Sequence, residues 1–243
     1  GEEKFAFVPN EMIETQSQAF GKPELSNLGM GQLFYGVDGP WTAYTEYVQD
    51  LNADSNETSL TVGTNSYGQT GKQLVYGGLR MGGRNYYALD LSDISNPKLK
   101  FQIRPSGDCS ATNPLGCMGQ SWSKPSITWV NWNGVKKLVM LVGGGYDAGG
   151  DDGNAFVNGI RVPYAGYESH TYNQTNKRGA GVYMFDALDG SLLWWASANA
   201  SNDVTSVLST HVADMKYSVV SEIRTIDRDS DGLTDHLYFG DLG

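Results

Sequence analysis

The chain has 243 residues, a formal net charge of −10 and 31 glycines against eight prolines. It is long enough to bury a real core, and it lacks the Gly-X-Y period of collagen and the clustered cations that nucleic-acid phosphates require. Abundant glycine with 14 tyrosines and six tryptophans points instead to many short strands joined by tight turns.

Taken from the N-terminus, helical patterning is weak: residues 10–20 predict one amphipathic helix and residues 206–213 a second, short one. Apolar β-formers predict strands at 4–8, 33–37, 45–48, 73–76, 85–91, 98–103, 126–132, 138–142, 181–186, 191–196, 217–226 and 237–240. The punctuation between them is Asp-Gly, Asn-Gly, Gly-Gly and Asn-Pro. The best apolar run, LVMLVGGG from Leu138, is strand-sized and far short of the 18 residues a membrane-spanning helix needs. The opening GEEKFAF is no signal peptide; the sequence reads as a fragment, with any export signal upstream.

An internal repeat runs through this pattern. LVYGGLRMGGRNYYALDLSD and KLKFQI from Leu74 are echoed by LVMLVGGGYD from Leu138, RGAGVYMFDALDG and SLLWWA. In both copies an apolar strand runs into glycines, and an aromatic strand ends in an aspartate (Asp90, Asp186) before a turn. HLYFGDLG from His236 begins a third copy. Repeated strand-turn-strand units, none able to bury both faces alone, predict the blades of a β-propeller spanning residues 1–243 and broken off mid-blade.

Between the halves of the second copy, residues 146–178 predict a long inserted loop, a length that usually carries function. It holds Tyr164, Tyr167, His170 and Tyr172, which would either pack the loop onto its blade or offer a binding surface. Cys109 and Cys117 lie in GDCSATNPLGC, where Asn-Pro and Gly let the chain double back. A disulfide and a pair of unbridged thiols both fit that spacing; the former would imply an oxidising compartment.

The chemistry is densest in DRDSDGLTD, residues 227–235. Asp227, Asp229 and Asp231 fall at positions 1, 3 and 5 of a calcium loop, and Gly232 at position 6 allows the sharp reversal. Leu233 would offer its carbonyl and Asp235 another carboxylate. Calcium is a hard ion that takes six to eight oxygens, and these acids would repel one another without it. Tyr238 stands where an EF-hand needs a bidentate Glu, and strand-like flanks replace helices, so this is a shorter loop linking two strands. Two other acidic stretches, DLNADSNE from Asp50 and DAGGDDGN from Asp147, depart further from the template. His170, His211 and His236 lack zinc spacing, and no nucleophile elbow is present.

Together YGGLRMGGRNYYALDLSD, LGCMGQSWSKPSI, LVMLVGGGYD and RDSDGLTDHLYFGDLG, with EEKFAFVPN and LFYGVDGP near the N-terminus, resemble the C-terminal β-propeller domain of the PilY/PilC proteins. These are adhesins and assembly factors at the tips of bacterial type IV pili. The resemblance covers nearly the whole chain. It implies a modified seven-bladed propeller without enzymatic activity, here an incomplete one, whose calcium ligands are Asp227, Asp229, Asp231, Leu233 and Asp235.

The resemblance further implies roles in pilus biogenesis, twitching motility, surface adhesion and DNA uptake, with pilus subunits or minor pilins and a host or abiotic surface receptor as partners. The implied place is exported: the fimbrium, cell surface, outer membrane or periplasm of a Gram-negative bacterium. Two other readings compete. GVYMFDALDGSLLWW resembles the blade wording of calcium-dependent quinoprotein dehydrogenases, and a carbohydrate-binding extracellular propeller would share the aromatic and acidic composition.

Overall fold

The structure, a computed structural model, describes residues 2–16, 35–51, 58–147, 156–157, 160–161, 178–202 and 208–243. Among the described residues it is all-β apart from one six-residue helix, α1 (Asn10–Thr15), and two short 3-10 turns, Arg80–Gly82 and Pro114–Cys117. The strands are β1 (Trp41–Glu46), β2 (Val48–Leu51), β3 (Thr58–Thr61), β4 (Lys72–Gly78), β5 (Tyr86–Asp90), β6 (Lys98–Ile103), β7 (Ser126–Trp132) and β8 (Val135–Gly143). They continue as β9 (Phe156–Val157), β10 (Ile160–Arg161), β11 (Val182–Asp186), β12 (Leu192–Ser197), β13 (Leu208–His211), β14 (Arg224–Ile226) and β15 (His236–Tyr238).

Three units repeat. Unit one is the antiparallel sheet β1-β4-β5-β6, with the β2–β3 hairpin inserted between its first two strands. Unit two is β7-β8-β11-β12, antiparallel, with β13 added in parallel on β12. Unit three is the hairpin β14–β15. Registers coincide: Thr42 lies opposite Tyr76, Ser126 opposite Leu141, and Arg224 opposite Tyr238. Leu74 pairs with Asp90 and Val139 with Asp186, so the repeat frame matches Leu74 to Val139, one residue on from the match that the sequence wording suggests.

That one-residue difference decides which side chains face which unit, because strand side chains alternate. Leu74 and Tyr76 of unit one meet Leu138, Met140, Tyr183, Phe185 and Trp195 of unit two in one core. The opposite face of unit two, Val139, Leu141, Val182 and Met184, forms a second core with Val219, Ile223 and Leu237. Unit two is thus covered on both faces, which is why β8 and β11 read as continuous apolar runs. Buried tyrosines stitch the first junction: Tyr76 donates to Ala187 O at 2.8 Å, Tyr86 to Ser123 O at 3.0 Å and Tyr183 to Pro114 O at 3.2 Å. A Cβ on Gly78 would strike the Ser121 carbonyl and one on Gly143 the Val219 carbonyl, so glycine permits the same close approach at both junctions.

Some expectations fail. Residues 208–211 form β13, not helix; β-branched and apolar residues there find the open edge of β12, and tertiary pairing overrides a weak helical pattern. Residues 4–8 form no strand, but Phe7 packs edge-on against Trp41 and Tyr87 at 5.9 and 5.4 Å. Of the predicted strand 217–226 only Arg224–Ile226 pairs. The helix predicted over 10–20 covers Asn10–Thr15; residues 17–20 lie outside the described residues, as do 33–34 of the predicted strand 33–37. Among the described residues, no helix is long and apolar enough to cross a membrane.

Candidate metal site

The acidic loop is the connection between β14 and β15. In unit two the matching connection is the tight turn Asn133-Gly134, both residues at positive φ (53° and 80°), as a two-residue hairpin requires. In unit one it is the β2–β3 insertion. The first-to-second-strand connection therefore varies among units while the strands keep their register.

Within the loop the carboxylates are set by backbone N–H groups. Asp227 accepts from Ser230 N at 2.7 Å and, through its other oxygen, from Gly232 N at 2.8 Å. Asp229 accepts from Asp231 N at 3.3 Å, Asp231 from Leu233 N at 2.7 Å, and Asp235 from Arg228 N at 2.7 Å. Ser230 and Gly232 hold positive φ, 63° and 83°, to make the reversal. Asp227, Asp229 and Asp235 converge, each offering an oxygen within 4.8 Å of the others, and all three are exposed. Asp231 is not in that set, and Leu233 is half-buried.

The donor set can be tested against an ion. Oxygens around calcium sit at about 2.3–2.6 Å, so two on opposite sides are about 5 Å apart. The converged oxygens fit within one such shell, and all are hard donors, unlike the nitrogen and sulfur sets of zinc or copper. The loop is also anchored at its far end: Asp235 N donates to Ile226 O at 2.9 Å and Thr234 N to Trp129 O at 2.8 Å.

The other singled-out residues are placed elsewhere. Cys109 and Cys117 are joined by a disulfide, with Cys117 buried. Tyr164, Tyr167, His170 and Tyr172 lie outside the described residues, as do residues 52–57 of the first weaker acidic stretch and 148–154 of the second. Asp147, at the start of that second stretch, is buried and accepts from Arg178 N at 3.3 Å. Asp147 lies past the end of β8 opposite the Asn133-Gly134 turn. By the shared register the acidic loop and Asp147 stand at opposite ends of the strands.

The repeated strand-end aspartates turn out to organise turns. Asp186 accepts from Leu188 N at 2.8 Å and from Lys137 Nζ at 2.6 Å, and Asp90 accepts from Ser92 N at 3.0 Å. This gives GVYMFDALDGSLLWW a structural account in which Asp189 likewise closes on Ser191 N. Sequence reasoning missed the Lys137 pairing and the contact of Thr234 with β7, since each joins residues 49 or more positions apart with no local signal.

Comparison with known proteins leads by two routes to one relative. Over 242 residues, all of this chain, the sequence is 23% identical to the type IV pilus biogenesis factor PilY1 of Pseudomonas aeruginosa (strain UCBPP-PA14). The crystal structure of the Pseudomonas aeruginosa PilY1 C-terminal domain aligns with the whole chain at a TM-score of 0.50 and 22% identity. This likeness shows a shared fold and agrees with the family resemblance carried by the motifs. The chain spans 15% of the full relative and 33% of the solved domain. No protein-family model matches.

Proposed function

We infer that this chain is a calcium-binding, non-enzymatic propeller region of a type IV pilus biogenesis factor. The pilus reading rests on one observation: sequence and fold comparison agree on PilY1 over all of this chain. The propeller reading is supported by the three units, whose shared register and face-to-face cores are what successive blades would require.

The calcium reading is supported by the converged oxygens of Asp227, Asp229 and Asp235. In the proposed shell the Leu233 carbonyl adds an oxygen, and Asp231, which stands outside the cluster, turns inward to add another. A bound cation would cancel the repulsion among the acids and hold the loop between β14 and β15 in place. The region's partners are pilus subunits or minor pilins, and through them a host or abiotic surface; its place is the fimbrium or the envelope of a Gram-negative bacterium. It supports biogenesis, twitching motility, adhesion and DNA uptake.

Calorimetric titration with calcium tests the site. Asp227→Asn and Asp229→Asn are each expected to weaken binding by at least about tenfold, since each removes a charged ligand. Unchanged affinity in both would overturn the ligand set. Undiminished piliation and twitching in a strain lacking the gene would overturn the pilus reading independently.

A further inference from the structure

Thr234 sits between two of the proposed ligands, the Leu233 carbonyl and the Asp235 carboxylate, yet its own bonds leave the hairpin. Its N–H donates to Trp129 O at 2.8 Å and its hydroxyl shares a 2.7 Å bond with the hydroxyl of Thr128. Both partner residues belong to β7, the edge strand of unit two, whose outer side no other strand covers among the described residues. β7 also packs Val130 and Trp132 against the core shared with unit three, and Trp129 against the core shared with unit one. One residue therefore ties the acidic loop to a strand that contributes to both junctions.

We propose that Thr234 is the latch by which cation occupancy of the loop sets the packing of unit three on unit two. This rests on the calcium reading. A cation fixes Leu233 and Asp235 on either side of Thr234, and so holds its N–H and hydroxyl against β7. Without the cation, repulsion among Asp227, Asp229 and Asp235 displaces the segment that carries the latch. Asp235 N on Ile226 O keeps the hairpin itself closed, so the loosened element is the junction rather than the turn.

Hydrogen exchange of the intact protein with calcium alone as the added probe, read on peptides covering 126–132 and 228–238, tests this beside calcium calorimetry. In the wild type, calcium is expected to slow exchange in both peptides by about fivefold or more, the factor for one net hydrogen bond of about 1 kcal/mol. Thr234→Val keeps the N–H and the loop ligands, so it should still bind calcium and slow exchange in 228–238. It should lose most of the calcium effect in 126–132, and Thr128→Val, which removes the same hydroxyl bond from the other side, should do likewise. If either folded variant retains the full calcium effect in 126–132, the latch is wrong and calcium binding stands. If the wild type binds no calcium, both readings fall together.

Discussion

The Ser126 hydroxyl donates to the Ile223 carbonyl across the junction of units two and three, and one unit earlier the Thr42 hydroxyl makes the same bond to Pro125 O at 2.7 Å. Each donor occupies the first paired position shared by the repeats, opposite Leu141 or Tyr76. Ile223 is buried, so loss of the donor leaves an acceptor without a partner. Ser126→Ala is expected to cost about 1–3 kcal/mol, read as a lowered urea midpoint, while Ser126→Thr, which restores the residue found at 42, should recover most of it.

Glycine at 143 is a packing requirement. A Cβ there would strike the Val219 carbonyl, a backbone group that cannot swing aside. Gly143→Ala should destabilise by about 1–3 kcal/mol through overpacking. Gly240→Ala, at the matching position of unit three, meets open space and should cost under about 0.5 kcal/mol. Equal losses in the two variants would contradict the junction geometry.

Lys137 is held above the ordinary lysine value, chiefly by its hydrogen bond to Asp186 at 2.6 Å. A cation whose folded pKa is raised contributes stability that is full below the unfolded value and lost as pH rises through the folded one. The stability difference between wild type and Lys137→Met should thus be steady from about pH 7 to 9, at no more than about 1 kcal/mol for a partly exposed pair. It should shrink above about pH 10.5. A difference that persists undiminished at about pH 12 would assign the effect to packing of the lysine stem.

The Cys109–Cys117 bridge closes a loop of eight residues' separation. Chain-entropy reasoning gives such a short loop about 2–3 kcal/mol. The double Cys→Ser variant should lose that amount, and added reductant should lower the wild-type midpoint and leave the variant's unchanged.

Much of the fold was legible because its signals are local. Residues 98–103 and 126–132 were bounded as strands by their β-formers and flanking turns, and those are the bounds of β6 and β7. The helix predicted at 206–213 failed because a four-residue segment is decided by which edge it finds, here that of β12. The acidic loop was legible as a spacing of aspartates. That Asp231 stands apart from Asp227, Asp229 and Asp235 was not, since it depends on which N–H each carboxylate accepts.

The sequence by itself determined the all-β class, the repeated unit and the loop that joins the last two strands, because strand propensity, turn chemistry and ligand spacing are properties of neighbours along the chain. Only the tertiary structure decided the frame of the repeat, the two cores on either face of unit two and the tie from Thr234 to β7. Those depend on one-residue register and on contacts between residues about a hundred positions apart, and a shift of one residue turns every side chain of a strand to the other face.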